Sequence, residues 1–290
     1  MDQITDTMNT FTSPAEVNTT DSGFLNSNGI VAKIVFLILV IVIFLVLFFL
    51  IVKLIGYFSA PSAFPMLVNG QIQGSQTKQI VQNPADSSSK LIARSNNQTT
   101  GIEFTWSVWL NFQGSTSTTQ YSPAFVKGDV SKPSNSPYCS INHGPGVYFG
   151  MKGTQSENQL FILMDTIDTP ATQNPELVIN VSNGIITDNY FHLAIRCQST
   201  YIDIYINGNI IIRKNLPNVP KQNYYDVVAC PSPGFNGLLS NLQYFNKALS
   251  VIEINRIVQS GPNTSLLNQK AFNPSSINAI STSWFSSFIH

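Results

Sequence analysis

Charged residues are scarce in this chain, and no cluster of one sign stands out among them. Fifteen Lys and Arg balance fifteen Asp and Glu, so only 10% of the residues are charged and the formal net charge is zero. The sequence also lacks a basic run, a basic helix and the spacing of zinc ligands. These absences exclude a nucleic-acid-binding surface of the usual kinds.

Cysteine is also rare, with Cys139, Cys197 and Cys230 as the three examples. An odd count excludes a fully paired set of intramolecular disulfides. Cys197 and Cys230 both fall at the ends of predicted strands and could pair, although reduced, partly buried thiols are the favoured interpretation. The chain begins with Met-Asp rather than Met-Gly, which argues against N-terminal acylation.

Groups suited to catalysis are equally sparse. Asp165 and Asp168 come nearest to the carboxylate pair of a glycosidase, but their spacing of three does not put both on one strand face, and no Glu accompanies them. His143 lies four residues after Cys139 without a third orienting group. His192 lies inside a predicted strand, where we expect a structural hydrogen bond. We therefore expect that the protein is not an enzyme.

One feature is present in abundance: an apolar run over residues 34–52, flanked by Lys33 and Lys53. These nineteen residues include no charged, polar, Gly or Pro residue. As a helix they cover about 28 Å, close to the hydrocarbon thickness of a bilayer. Core helices of soluble domains rarely stay apolar on every side for five turns. We therefore predict a transmembrane helix over residues 31–58 and a lipid membrane as a partner.

A cleaved signal peptide is the alternative interpretation of the same run. Against it, the run begins late, no Lys or Arg precedes Lys33, and the apolar stretch is long for a signal peptide. The small residues at 59–63 resemble a cleavage site, so the alternative stays open. One Lys on each side leaves the orientation in the membrane undetermined.

The rest of the chain divides by composition. Residues 1–30 are polar and acidic without periodicity, which predicts a disordered tail. Residues 59–95 predict a tether, opened by prolines that end the helix, and part of it is expected to pack as an edge strand. Residues 96–265 predict one folded domain, and residues 266–290 a C-terminal extension.

Alternation with a period of two predicts strands from residue 101 onward. In residues 101–112, large apolar side chains at the even positions from 104 to 112 alternate with polar ones, as in a strand buried on one face. Trp109 falls on the other face, where it could form part of a binding platform, although packing at the edge of the sandwich is the favoured interpretation. Further strands are predicted at residues 123–127, 146–152, 159–165, 176–181, 191–197, 201–206, 209–213, 225–230 and 237–246.

Two local motifs are sharp. Asn207-Gly208 joins two alternating strands, which is the strongest short signal for a hairpin because both central residues of its turn need positive φ. Ser250 and Glu253 form a capping box for a short helix that Gly261-Pro262 ends. Ten short strands with one short helix, and no alternation of strands and helices, predict an all-β antiparallel jelly-roll sandwich.

Four segments carry a family resemblance in order: FTWSVWLNF, FVKGD, FHLAIRCQSTYIDIYINGNIIIRK and GFNGLLSNLQYFNKALSVIEI. With these, residues 101–262 resemble the laminin-G/concanavalin-A-like jelly roll. Departures stand at Phe191, where the family usually has Trp, at Asn207, where it often has Asp, and at Ser240-Asn241, which replace an acidic pair. The resemblance therefore implies at most a weak calcium site, and we expect no cofactor.

A narrower resemblance depends on three features together: the N-terminal anchor, the segment over residues 92–110 and this jelly roll. Together they resemble proteins of large nucleocytoplasmic DNA viruses, some of which are virion components. That resemblance implies a non-enzymatic minor capsid protein that links an inner virion membrane to the capsid, with capsid or scaffold proteins as partners. The alternative is a membrane-displayed lectin or adhesin that binds glycans.

Ligand binding in jelly rolls of this type often takes place on the loop rims. For each rim residue, an ordinary loop residue is the favoured interpretation. The candidate ligand-binding residues are Asp129, Asn142, Asp165, Asp168, Tyr224, Tyr225 and Asn236.

Overall fold

The computed structural model describes residues 29–59, 62–86, 88–99, 101–114, 121–130, 138–151, 158–168, 177–181 and 187–267. The predicted tail over residues 1–30 and the predicted extension over residues 266–290 lie almost entirely outside the described residues. The chain forms two compact units, Met1–Ala60 and Pro61–His290, each of which is treated by itself.

The first unit is described as a single helix, α1, Ile30–Ser59. Its side chains from Ile34 to Val52 are exposed along the whole length, and none of its most apolar window is buried. Length and composition make this helix suitable to cross a membrane.

The second unit contains thirteen described strands and one helix. Their bounds are β1 Met66–Gln73, β2 Lys78–Ile80, β3 Asn96–Gln98, β4 Gly101–Phe112, β5 Ser122–Lys127, β6 Gly146–Met151, β7 Asn158–Met164, β8 Leu177–Val181, β9 Tyr190–Gln198, β10 Tyr201–Ile206, β11 Asn209–Asn215, β12 Val227–Ala229, β13 Gly237–Phe245 and α2 Val251–Ser260.

These strands form two sheets in which every strand pairing is antiparallel. Sheet A has the order β1-β13-β4-β9-β10-β11, with β3 paired to β4, and sheet B has the order β2-β12-β5-β6-β7-β8. The predicted antiparallel sandwich is thereby confirmed. Since neighbours such as β4 and β13 are far apart in sequence, the fold depends mainly on long-range pairing.

The core lies between the two sheets. The predicted apolar face of β4 is buried there: Trp106 packs against Phe125 of β5 with ring centroids 5.6 Å apart. Phe112 at the other end of β4 stacks on Phe149 of β6, with centroids 4.0 Å apart and ring planes 4° apart. These inter-sheet aromatic contacts hold the layers together.

The opposite face of β4 is also buried, which corrects the prediction of a half-exposed strand. Thr105 is fully buried because its hydroxyl donates to the Lys247 carbonyl at 2.9 Å and accepts from the Leu249 amide at 2.9 Å. Trp109 lies in a central strand rather than at an edge, and its ring packs against His192 with centroids 5.2 Å apart. The segment leading into α2 covers part of this outer face, so it does not form an open platform.

The segment predicted as a tether contributes strands to both sheets. Within residues 59–95, β1 pairs with β13 at the edge of sheet A and β2 pairs with β12 at the edge of sheet B. The second compact unit accordingly begins at Pro61 rather than at residue 96. Pairing with strands more than 140 residues away stabilises a stretch that has little strand pattern of its own.

The two sharp motifs form as predicted. Asn207 and Gly208 have φ values of 49° and 82° and join β10 to β11. Ser250 caps α2, and the capping box with Glu253 is complete. Gly261 ends the helix with a φ of 71°.

The three cysteines are free thiols. Cys197 and Cys230 are both buried, and burial raises the pKa of each thiol to about 12. The disulfide that the sequence allowed between Cys197 and Cys230 does not form. Both thiols stay protonated and unreactive at neutral pH.

An ion-pair network around one buried carboxylate crosses β9, β10 and β11 at directly paired positions. Asp203 of β10 is completely buried between Arg196 of β9 and Arg213 of β11. Arg213 donates from Nε and Nη2 to the two carboxylate oxygens at 2.6 and 2.9 Å, and Arg196 donates from Nη1 at 3.0 Å. One carboxylate thus compensates two guanidinium groups.

Replacing Asp203 by alanine is expected to lower the free energy of unfolding by about 3 kcal/mol, because it leaves the mostly buried Arg196 without its counter-charge. Urea unfolding of the full chain in nanodiscs, followed by tryptophan fluorescence, measures the change. The matched control is Asp168→Ala, since Asp168 is exposed. A loss for Asp203→Ala no larger than that of the control would contradict the prediction.

Candidate ligand-binding site

A cavity of about 370 Å³ opens between the two sheets near the start of β4. Its floor is aromatic: Phe104 and Trp106 come from β4, and Tyr244 comes from the end of β13. The Tyr244 ring centroid lies 6.4 Å from that of Phe104 and 5.0 Å from that of Trp106. All three rings are buried, with Trp106 2%, Tyr244 4% and Phe104 5% exposed, so they form a closely packed floor beneath the cavity.

One wall is the segment between β2 and β3, and Gln82 shapes it. Its side chain accepts from the Ile92 amide at 2.9 Å and donates to the Lys90 carbonyl at 2.8 Å, so the segment turns back on itself. The backbone amide of Gln82 donates to the Asp226 carboxylate at 2.8 Å. This bond ties the turn to the segment before β12. Leu91, Ile92, Ala93 and Pro84 give this wall its apolar surface.

The opposite wall is the segment that leads into β12. The Asn223 side-chain amide donates to the carbonyls of Lys127 at 3.1 Å and of Asn142 at 2.7 Å. Lys221 donates from Nζ to the Asn142 side-chain oxygen at 3.0 Å. Gln222 donates to the Ser95 hydroxyl and so joins the two walls. The cavity is therefore held open by hydrogen bonds between loops rather than by a single element.

Lys127 is the most unusual residue of the lining, because a lysine is rarely so buried. Its side chain is 7% exposed, and Nζ donates to the Tyr225 carbonyl. Burial lowers its pKa to about 8, and the charge of nearby Asp226 offsets part of this shift. Arg94 and Lys221 also line the cavity. Among the described residues that form the lining there is no carboxylate. The cavity is an apolar pocket with a cationic wall.

Four of the predicted ligand residues lie around this cavity. Tyr224 lines it and is 97% exposed. Asn142 binds the lining residue Lys221 through its side chain, and the Asp165 carbonyl accepts from the Lys221 amide at 2.8 Å. Tyr225 holds Lys127 through its carbonyl. These residues shape the wall, and of the four only Tyr224 presents its side chain to the cavity.

The other three predicted residues lie elsewhere. Asp129 forms an antiparallel bridge with Ile141, and Asp168 accepts from the Asn218 side chain. Asn236 lies near the opposite end of β4, where it donates to the Gln113 carbonyl at 3.2 Å. The seven candidates therefore do not form one site.

The main residues of the cavity were not among the sequence candidates. Phe104 and Trp106 were predicted only as core residues, because the pattern cannot show which core residues also line a cavity. A usable signal existed for Lys127. It follows Phe125 by two residues in a strand, so it lies on the same inward face, where a charged residue is unexpected.

The described residues contain no group of three or more His, Cys, Asp or Glu side chains that could hold a metal ion. The positions where the family's acidic calcium ligands were expected hold Ser240 and Asn241. Ser240 is buried and donates to the Asn263 carbonyl at 2.7 Å. The Ser240 hydroxyl thus binds the segment that follows α2 to β13.

A second buried polar cluster surrounds His143 on the outer face of sheet B. The Ser140 hydroxyl lies 2.8 Å from His143 Nε2 and 2.7 Å from the Tyr148 hydroxyl. Asp165 accepts from the His143 amide at 2.7 Å, but its Oδ2 is 3.8 Å from Nδ1. A serine nucleophile needs access and an oriented imidazole. Ser140 is 2% exposed, so the cluster packs its loop against the sheet.

His192 forms the structural hydrogen bond that was expected. It is fully buried on the outer face of β9, and its Nε2 lies 2.8 Å from the Ser107 hydroxyl. Burial lowers its pKa to about 4 from an ordinary value of 6.5. The unfolded chain therefore binds a proton at a higher pH than the folded chain does.

This shift predicts acid sensitivity. The contribution of neutral His192 is complete above pH 6.5 and is lost progressively as the pH falls toward 4. Between pH 7 and pH 5 the free energy of unfolding should fall by about 2 kcal/mol more in the natural chain than in His192→Gln. Urea unfolding at both pH values measures this difference. Equal pH dependence of the two chains would show that His192 does not titrate as its burial implies.

Comparison with known proteins agrees with this architecture. The family profile described as the concanavalin A-like lectin/glucanases superfamily matches residues 85–255. No curated protein sequence matches the chain.

Among solved structures, the chain is similar to the receptor-binding domain of botulinum neurotoxin D, with 11% identity, a TM-score of 0.43 and coverage of 68% of this chain and 52% of that one. It is also similar to the binding domain of botulinum neurotoxin DC in complex with rat synaptotagmin II, with 19% identity, a TM-score of 0.38 and coverage of 55% and 35%. The chain thus spans about a third to a half of the length of these structures.

Proposed function

The chain belongs to the concanavalin A-like lectin/glucanases superfamily, and we propose that it is a non-enzymatic, single-pass membrane protein that displays this domain as a binding module. The observation that carries the proposal is the open inter-sheet cavity, with its aromatic floor and its cationic wall. A concave, mostly apolar pocket with a few polar groups is the usual form of a ligand site.

The membrane part of the proposal is supported by α1. Its apolar side chains are exposed along the helix, and in water they would be a large unfavourable surface. A signal peptide would be removed, whereas an anchor is retained. Mass spectrometry of the mature protein from membranes separates the two, since an anchor keeps residues 30–59 and a signal peptide loses them.

The non-enzymatic part is supported by the chemistry of the lining. A glycoside hydrolase needs two carboxyl groups that face each other across the substrate. The lining side chains are instead aromatic, aliphatic, amide, hydroxyl and cationic. Turnover of polysaccharides by the full chain would overturn this part of the proposal.

For the biological setting we propose a virion: the domain links an inner viral membrane to the capsid as a minor capsid protein. The support is the resemblance in the anchor, in the opening segment over residues 92–110 and in the domain. The alternative is a membrane-displayed lectin or adhesin, which family membership favours.

Crosslinking mass spectrometry on the full chain, in its native membrane or particle before detergent, tests this setting. Reproducible crosslinks from the domain to a coat or scaffold protein support the capsid link. Capture of glycans or of a surface receptor, without crosslinks to a protein lattice, overturns it in favour of the lectin. The two outcomes differ in the class of molecule recovered.

A further inference from the structure

The cavity contains a buried lysine that has no carboxylate in direct contact. Lys127 is 7% exposed, and its identified hydrogen-bond partner is the neutral carbonyl of Tyr225. Among the described residues no carboxylate lies within ion-pair distance of Lys127. An ammonium group has three donors, so two remain for a ligand.

The nearest acidic group is already engaged. Asp226 accepts from the Gln79 side chain at 2.6 Å and from the Gln82 amide at 2.8 Å. Arg94 and Lys221 add two more positive charges to the lining. A ligand that enters this cavity therefore meets a field that favours an anion, and burial strengthens that preference.

The aromatic and aliphatic part of the lining is suited to rings. Phe104 and Tyr244 lie nearly parallel, with 27° between their ring planes, and Trp106 meets Tyr244 edge-on. Leu91 and Ile92 face this floor from the wall. A cavity volume of about 370 Å³ is large enough for a small molecule and too small for a protein segment.

We propose that this cavity binds a small amphipathic anion, with an apolar ring system on Phe104, Trp106 and Tyr244 and an anionic head at Lys127. This inference rests on the proposed function as a binding module and names the ligand class of its site. An uncharged sugar would leave Lys127 without an ion-pair partner, and a free inorganic anion would make no use of the aromatic rings. Only a ligand with both parts satisfies both surfaces.

Three probes of matched shape test the proposal: 2-naphthoate, the neutral 2-naphthamide and the cationic 2-naphthylmethylammonium. Equilibrium dialysis against the full chain in nanodiscs, with empty nanodiscs as the blank, gives the affinity of each. We expect 2-naphthoate to bind about tenfold more tightly than the amide, as a charge-assisted hydrogen bond provides, and the cation to bind most weakly. Equal binding of all three overturns the proposal.

Two variants locate the binding. Lys127→Met keeps the length of the side chain and should remove the preference for the anion, whereas Lys214→Met, at an exposed position on β11, should leave it unchanged. Ala93→Trp fills the cavity without touching Lys127 and should remove binding of both 2-naphthoate and 2-naphthamide. If Lys127→Met fails to fold, the result for Ala93→Trp and the relative affinities of the three probes for the natural chain still test the proposal. Retained binding in Ala93→Trp places the probe elsewhere and overturns the proposal.

The outcomes also separate this inference from the proposed function. Partner crosslinks in the native particle without binding of 2-naphthoate would overturn the ligand class and leave the binding module in place. Absence of both would overturn the two proposals together.

Discussion

Three arginines at the centre of α1, introduced as Val40→Arg, Ile43→Arg and Val46→Arg, are expected to release the protein from membranes. On an insertion scale each Leu, Ile, Phe or Val contributes about −0.3 to −0.6 kcal/mol, so the run of nineteen contributes roughly −6 to −11 kcal/mol. Three central arginines cost about 8 to 10 kcal/mol on the same scale, which cancels most or all of that gain.

The same arithmetic predicts that one arginine is tolerated. Ile43→Arg alone should leave the chain in the membrane pellet after an alkaline carbonate wash, whereas the triple variant should appear in the supernatant. The triple leucine variant at these positions is the matched control and should behave as the natural chain does. Release of the single variant would contradict the calculated margin, and retention of the triple variant would show that α1 is not held by hydrophobic insertion.

Truncating Phe149 to alanine is expected to have the second largest effect, a loss of about 4 kcal/mol in the free energy of unfolding. Phe149 is fully buried in sheet B and stacks on Phe112 of sheet A at 4.0 Å. Phe235 and Phe191 complete its surroundings, with centroids 5.2 and 6.4 Å away. These aromatic neighbours come from β4, from β9 and from the loop before β13, so they cannot all move inward to fill the space.

Urea unfolding of the full chain in nanodiscs measures this loss, and Phe149→Leu serves as the conservative control. Leucine keeps most of the volume and should cost about 1 kcal/mol. If alanine cost no more than leucine, the inter-sheet stack would not carry the stability assigned to it. Both substitutions leave the cavity untouched, since Phe149 is not part of its lining.

Local sequence signals were sufficient for the elements in which neighbours determine the conformation. The positive φ values of Asn207 and Gly208 follow from the requirements of a tight hairpin turn. The capping box of Ser250 and Glu253 fixes the start of α2 in the same way. In each case the side chains and the backbone they stabilise lie within four residues of each other.

Elements that depend on distant partners were not predictable from such signals. β1 contains Asn69, Gly70 and Gln71 in its middle and has no clean alternation, but pairing with β13 stabilises it. The polar face of β4 was expected to be exposed, and residues 247–249 cover part of it. Coverage by a segment 140 residues away leaves no trace in the pattern of the strand itself.

The cavity illustrates the same limit for function. Its lining comes from the segments around Gln82, Phe104, Lys127, Gln222 and Tyr244, which lie far apart in the chain. The rim candidates were chosen as polar loop residues, yet the chemistry of the cavity comes mainly from inward-facing strand residues. A lysine on an inward face was the one local feature that pointed to it.

The edge position of β1 has a mechanical consequence. β1 is the first strand after α1, and it is held by β13 on one side and by a short bridge to Leu266 on the other. In a membrane-anchored protein, tension along the chain reaches β1 before any other strand. Its detachment would lengthen the connection by eight residues, about 27 Å of extended chain, while the stacked rings between the sheets still hold. We expect the domain to yield under load at this strand first and so to absorb strain without losing its core.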